Sequence, residues 1–346
     1  MPGSRPRPGD AAAERGPGAT RALTGRSRDI QRLREQVRHL AATRAPVLLE
    51  GEPGTGKSVV ARALHYGGPR RKRRFERVDC GALPEEMQAA ELFGAEAQAG
   101  AFERADGGSL LIHEIDRASP SVQLRLLHFL QARTIERADG GPPAGAPARR
   151  AAPPGRARGA RAVHGSTRVQ IDVRLIAASD RDLAAEVRAG RFRDDLHHLL
   201  EATRVHLPAL RSRREDLPFL VGELVRTANR EHGRRVPGVT AGVLERFARY
   251  EWPGNVTELK SVLSGMVATA RGRRPLDLDD LPDALRGTDE PGGRFELSVG
   301  MTLASAERRL VEATLEYTHG DKRRAAALLG IGLRTLYRRL DEWGKA

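Results

Sequence analysis

The stretch "GEPGTGKS", Gly51 to Ser58, constrains the fold more than any other part of the chain. It fits G-x-x-x-x-G-K-[ST] and lies between a short apolar run, "PVLLE", and an amphipathic pattern, "SVVARALHY". A strand that turns through glycines into a helix presents curled backbone N–H groups and a helix N-terminus, which together make an anion cradle. The glycines let the main chain approach phosphate oxygens, Lys57 supplies a cation to the β and γ phosphates, and Ser58 offers a hydroxyl to Mg²⁺. Gly51, Glu52, Gly54, Thr55, Gly56, Lys57, Ser58 and Val59 are the candidate nucleotide-binding set, with ATP and Mg²⁺ as the cofactors.

Strand and helix signals alternate from the helical spacing of Ile30, Leu33, Val37 and Leu40 to about Leu210, so the sequence predicts an α/β domain around a mostly parallel sheet over 22–210. Residues 1–21 carry Pro, Gly and charge with no apolar period and are expected to be a disordered tail. Two basic loops interrupt the domain: "RRKRR", Arg70 to Arg74, and a Pro/Gly/Ala-rich segment, 140–168, with six arginines and no acid. The second is expected to be a disordered insertion, either a tolerated surface loop or an arm that touches nucleic acid. The pattern turns all-helical over 211–286, predicting a small second domain. A Gly-rich linker, 287–300, leads to a helical block, 301–346, with two internal breaks.

The chain has 346 residues, enough for two or three domains, and a formal net charge of +14. That excess suits a polyanionic partner, although an arginine-rich genome bias would also produce it. One cysteine, Cys80, excludes an internal disulfide framework and is expected to be a packed small apolar residue. With no span-length apolar stretch and no apolar segment in the N-terminal 21 residues, the chain is expected to be cytoplasmic. His197 and His198 in "DLHHLL" are read as helix-surface residues with no carboxylate or third His at ligand spacing.

The cradle is joined by "ELFG" (Glu91 to Gly94), "AFERADGGSLLIHEID" (Ala101 to Asp116), "VRLIAASDRDL" (Val173 to Leu183), "GRFRDDL" (Gly190 to Leu196), "LPALRSRREDLP" and "YEWPGNVTELK" (Tyr250 to Lys260). In this order the motifs strongly resemble the sigma-54-dependent bacterial enhancer-binding proteins, and the resemblance runs from about Ala22 to the C-terminus. It implies a P-loop AAA+ parallel-sheet domain with an all-helical lid, followed by a helix-turn-helix domain. It further implies a homo-oligomer, from dimer to ring, that hydrolyses ATP between subunits and remodels an RNA polymerase holoenzyme. No receiver-like segment precedes the ATPase block, so phosphorylation of this chain is not expected as the input.

The departures from the family pattern fall on the motor. The acidic pair ending the second nucleotide-binding strand is Asp-Glu in the family and His113-Glu114 here. Mg²⁺ prefers hard oxygen ligands, and a neutral imidazole can at best accept a hydrogen bond from a metal-bound water. By resemblance Glu114 polarises the attacking water. The sensor position, Asn in the family, is Asp180, which either takes over part of the metal-facing charge lost at His113, joining Ser58 as a metal ligand, or marks an independent loss. Arg193 is retained as a catalytic arginine, but the second family arginine aligns with Leu199, and Thr257 stands where a second sensor arginine belongs. The family's Gly-Ala-Phe-Thr-Gly-Ala loop, which grips sigma-54, is missing: only "AEAQ", Ala95 to Gln98, joins "ELFG" to "AGAFERADGG". These departures favour a DNA-binding transcriptional regulator that binds nucleotide with weak or lost hydrolysis; the alternative is a working ATPase activator that remodels sigma-54 polymerase with compensated residues.

"DKRRAAALLGIGLRTLYRRL" has helix-turn-helix spacing: Ala325, Ala326, Leu328 and Leu329 give the first helix its core, "GIG" turns, and Leu333 to Leu340 form the second helix. It resembles the Fis-type domain, which dimerises through a preceding helix, here about Leu303 to Tyr317, and binds double-stranded DNA. Arg334, Thr335 and Arg338 are candidates for the groove, and Lys322, Arg323 and Arg339 for phosphates, with Tyr337 also on the reading helix.

Overall fold

A computed structural model of the chain describes residues 23–95, 98–136, 168–286, 301–318 and 320–344. The expected tail and linker lie outside these residues, as does the expected insertion except for Arg168, which begins a strand. The chain divides into two compact units, one ending at Asp280 and the other beginning at Leu281.

The first unit is built on a five-stranded sheet in the order β2-β3-β6-β1-β7, from β1 (Val47–Glu50), β2 (Phe75–Asp79), β3 (Ser109–His113), β6 (Arg174–Ser179) and β7 (Arg204–His206). Every pair is parallel. Parallel strands are covered on both faces, which is why "VLLE" and "RLIAAS" read as unbroken buried runs rather than alternating ones. Alternation still sorts the two cores. Leu110, Ile112, Leu175 and Ala177 face a layer holding α3 (Glu85–Phe93), α4 (Ala101–Arg104), α5 (Pro120–Ala132), α6 (Leu183–Arg188) and α7 (Asp194–Glu201). Leu111, Ile176 and Ala178 face α1 (Arg28–Ala41) and α2 (Lys57–Tyr66). A separate antiparallel pair, β4 (Thr134–Glu136) and β5 (Arg168–Gln170), brackets the insertion.

Two cations hold this layering, Arg174 buried and Arg70 partly so. The Arg174 guanidinium, beneath the sheet, donates to the carbonyls of Leu40, Ala41 and Leu64, near the C-termini of α1 and α2, where helix dipoles favour positive charge. Burial lowers its pKa to about 10. Arg70, from the first basic loop, donates to the carbonyls of Gly108 and Asp172 and pairs with the Asp172 carboxylate at 2.6 Å, so part of that loop is structural.

The lid consists of α8 (Leu217–His232), α9 (Ala241–Arg249) and α10 (Asn255–Thr269). Trp252, fully buried at φ 52, donates its indole N–H to the Phe247 carbonyl at 2.8 Å and so fixes the turn into α10. Asp216, at the start of α8, accepts from the Ser27 N–H and hydroxyl and stitches the lid to the segment before α1.

The second unit contains the short α11 (Asp283–Arg286), then α12 (Leu303–Tyr317), α13 (Lys322–Leu328) and α14 (Leu333–Gly344). Val311, Ala325, Ala326 and Leu336 form its core. The Asp321 side chain caps α13 through the Arg323 and Arg324 N–H groups, and Gly330, at φ 65, makes the turn into α14. This is a helix-turn-helix. Among the described residues no helix is long and apolar enough to cross a membrane.

Candidate functional site

The cradle joins β1 to α2, and Gly56, at φ 106, adopts a conformation that side chains resist. Lys57 is buried, and its Nζ donates to the carbonyls of Gly51 (2.5 Å) and Glu52 (2.9 Å). Among the described residues the amides of Gly54, Gly56, Lys57 and Ser58 donate to no protein acceptor, a donor set that fits phosphate oxygens. The Val59 amide is different, because it already donates to the Gly56 carbonyl inside the helix. Thr55 turns its hydroxyl to the Glu52 carbonyl.

The lid closes directly on this loop. The first amides of α10, on Val256 and Thr257, donate to the Gly54 carbonyl at 3.0 and 3.3 Å. Asn255, fully buried and at φ 50, accepts from the Leu210 N–H at 2.7 Å and donates to the Pro53 carbonyl at 2.9 Å and to the Glu52 carboxylate at 3.2 Å. Arg211 makes a two-point pair with Glu52, and that hydrogen bonding holds the Glu52 carboxyl below its usual range. The buried Arg213 donates to the Thr55 carbonyl at 3.4 Å. Sequence reading missed Asn255, Arg211 and Arg213. Their signal was an Asn in the left-handed region beside glycine and an arginine-rich run just before α8, both of which resemble ordinary helix starts until the fold brings them to the loop.

The opposite edge of the site is formed by the C-terminal tips of β2, β3 and β6. Asp180, just past β6, places a carboxylate oxygen 2.5 Å from Lys57 Nζ. His113 ends β3, and burial lowers its pKa against the raising effect of Asp79 and, more weakly, Asp180. The structure thus brings Lys57, Asp180 and His113 to one edge. Glu114 follows at φ 51, a left-handed conformation that costs a non-glycine residue energy. Its carboxylate lies over Gly81, where a Cβ would collide with it, and pairs with Arg117 Nε at 2.8 Å. Asp116 ties the tips together by accepting from the Ser179 hydroxyl at 2.9 Å.

Arg193 caps α7, where its N–H donates to the Gln123 side chain and its guanidinium is held by Asp195 at 3.0 and 2.6 Å. The hydrogen bond from Arg193 keeps the Asp195 carboxyl low. Leu199 is 38% exposed on the same helix. The surface reading holds for His198, which is exposed, and needs correction for His197. His197 is buried with Nε2 lacking a partner among the described residues, and Asp194, one helical turn earlier, joins His197 and His198 with ligand atoms within 4.8 Å of one another. A three- and four-residue helical spacing to a carboxylate had been overlooked. Cys80 is packed in the core, with its thiol pushed up to about 12 by burial.

Gly94, at φ 92, leads into a short antiparallel bridge between Ala95 and Gln98. Gly100 then packs so close to the Gly94 backbone that no Cβ would fit. Ala95 and Gln98 exchange backbone hydrogen bonds of 3.2 and 2.9 Å, and the two residues between them lie outside the described residues.

In the helix-turn-helix, Arg334, Thr335, Tyr337 and Arg338 line one open groove along α14 together with Asp341 and Glu342. Lys322 lies over the Tyr337 ring at 5.0 Å. Arg339 instead turns inward and pairs with Glu307 of α12 at 3.1 Å.

The chain matches three families in series: the Sigma-54 interaction domain over 23–144 and 157–206, the AAA+ ATPase lid domain over 211–295, and the Bacterial regulatory protein, Fis family, over 302–343. It is 35% identical to the transcriptional regulatory protein ZraR of Escherichia coli K12 over 92% of this chain and 68% of that protein. It is 38% identical to the C4-dicarboxylate transport transcriptional regulatory protein DctD of Pseudomonas aeruginosa over 93% of this chain and 64% of that protein. Among solved structures, NtrX from Brucella abortus in complex with ATP superposes with a TM-score of 0.67 at 26% identity, covering 93% of this chain and 69% of that one. A strand–cradle–helix motif on a parallel sheet, a helical lid resting on the cradle and a terminal helix-turn-helix agree with these matches, and the chain belongs to the sigma-54-dependent enhancer-binding proteins.

Proposed function

We propose that this chain is a DNA-binding transcriptional regulator of its family in which nucleotide acts mainly as a structural switch, with ATP hydrolysis weak or lost and sigma-54 not gripped through the usual loop. The observation that carries this reading is the Lys57–Asp180 pair at 2.5 Å, with an imidazole, His113, at the neighbouring strand tip. The cradle's free amides and Lys57 suit a nucleotide's phosphates, and the ATP complex of the Brucella NtrX supports ATP as that nucleotide. Mg²⁺ would be held by Ser58 and Asp180, with His113 contributing no hard oxygen. A carboxylate on the cradle lysine, an imidazole in place of a carboxylate and a leucine at the second arginine position each weaken transition-state charge stabilisation, the main source of rate in phosphoryl transfer.

The short Ala95–Gln98 closure supports the loss of the usual sigma-54 contact. The open groove on α14, lined by Arg334, Thr335, Tyr337 and Arg338, supports double-stranded DNA as the partner, with Lys322 and Arg323 at its phosphates; Arg339 is better read as structural. The helix before it, α12, supports a homo-oligomer, and its exposed Leu303 and Leu310 are candidates for that contact. An RNA polymerase holoenzyme and a cytoplasmic setting follow from the family.

A second reading, a working ATPase that remodels sigma-54 polymerase, is favoured by the presence of both Lys57 and Glu114. Measuring ATP binding and turnover on one purified sample, at concentrations that form rings and with Lys57→Ala and Glu114→Ala controls, separates the two. Binding without Glu114-dependent turnover supports the switch; robust turnover abolished by Glu114→Ala supports the motor.

A further inference from the structure

We propose that Asp79, His113 and Glu114 form a binding site for a divalent transition-metal ion of the zinc class, separate from the Mg²⁺ that accompanies nucleotide. The parallel register of β2 and β3 pairs Asp79 directly with His113, and Glu114 follows at the strand tip, so three donors meet at one edge of the sheet. Their ligand atoms lie within 4.8 Å of one another, and His113 Nδ1 is 3.8 Å from Asp79 Oδ2. Zinc bonds of about 2.0–2.2 Å in a tetrahedron need donors about 3.4 Å apart, a distance that small side-chain rotations supply.

Two orphaned atoms point the same way. Asp79 Oδ1 and His113 Nδ1 are both buried and have no hydrogen-bond partner among the described residues. Buried polar atoms are normally satisfied, and a shared cation would satisfy both. One oxygen of each carboxylate also meets an arginine: Arg77 donates to Asp79 Oδ2 at 2.9 Å and Arg117 Nε pairs with Glu114 Oε2 at 2.8 Å. These arginines orient the carboxylates, and they oppose a bound cation electrostatically. Lys57 and Asp180 are the other charges felt by His113, one of each sign.

The donor set selects the metal. One neutral imidazole with two carboxylates suits zinc, and also cobalt or nickel, whereas Mg²⁺ demands an octahedron of oxygens. Three protein ligands leave a position for water. An ion bound there would engage Glu114, the carboxylate that nucleotide chemistry would use, so metal and hydrolysis would compete for one residue.

The test is equilibrium binding of zinc chloride to the full chain without nucleotide, alongside the absorption spectrum of the cobalt-loaded protein. Omitting nucleotide makes the outcome independent of whether ATP is bound or hydrolysed. The expected result is one ion per chain, not displaced by excess Mg²⁺, with tetrahedral-type cobalt absorption. Affinity should fall at least about a hundredfold in His113→Asn, since even outer-shell partners of metal ligands cost about 10–100-fold. Asp79→Asn should weaken binding in the same direction and decides the matter if His113→Asn does not fold by circular dichroism. His198→Ala, which breaks the cluster on α7, should change nothing. No zinc binding, equal displacement by Mg²⁺, binding that survives the variant that decides, or binding lost in His198→Ala would each overturn the proposal.

Discussion

The two sides of the nucleotide site differ in how they are built. On the cradle side, Gly54, Glu52 and Pro53 are locked to the lid through Asn255, Arg211 and the first amides of α10, a set of mutually satisfied contacts. On the strand-tip side, the groups that would handle metal and water are an imidazole, a carboxylate spent on Lys57 and a glutamate turned over Gly81. Holding a nucleotide and cleaving it are separate physical tasks, and under the proposed function this chain keeps the first set of parts while altering the second.

The largest effect should come from removing the cradle's cation. Lys57→Ala should weaken ATP binding by at least about a hundredfold, because charge-assisted hydrogen bonds to phosphate are the strong ones; titration calorimetry reads it. Unchanged affinity would break the comparison by emptying the cradle of its role.

Acid should come next. His65, on α2, is buried between the Ser109 hydroxyl (2.9 Å) and the Arg73 carbonyl (3.2 Å), and burial lowers its pKa to about 4. Its folded value lies below the unfolded one, about 6.5, so its contribution is complete above that pH and is lost as pH falls towards 4. The loss should be on the order of 3 kcal/mol. Urea melts across this window should show a shallower pH slope for His65→Gln than for the parent chain.

Asn255→Ala should cost about 2–3 kcal/mol, since it strands the buried Leu210 N–H and Pro53 carbonyl and puts alanine at a positive φ. Asn255→Gly relieves only the backbone part, so a urea midpoint between those of the parent and alanine variants is expected.

The smallest effect sharpens the strand-tip side. Asp180→Asn should raise metal-free ATP affinity by about tenfold by releasing Lys57, and should shrink the gain from adding Mg²⁺. If the gain in ATP affinity on adding Mg²⁺ did not shrink, Asp180 would not be carrying metal-facing charge.

The cradle, the layered sheet and the helix-turn-helix were legible in the sequence because each rests on local spacing: glycines before Lys57, buried runs such as "RLIAAS", and Ala325 and Ala326 ahead of a glycine turn. What was not legible depends on register and long-range contact. Asp79 meets His113 only because β2 pairs β3 in that register, and Asn255 reaches Pro53 from 202 residues away. The surface reading of His197 failed because the two faces of a one-turn helix segment depend on what packs against it, and α7 turns His197 inward beside Leu196 and Leu200.

Under the proposed function, the substitutions at the strand tips took away chemistry and left binding. The most direct measurement is single-turnover ATP hydrolysis by the parent chain and by the His113→Asp/Asp180→Asn double variant, each at saturating nucleotide and equal oligomeric state. The account predicts a slow parent rate that rises by at least about tenfold in the double variant, with binding retained in both. A parent rate that is already fast, or a double variant no faster than the parent, would contradict it.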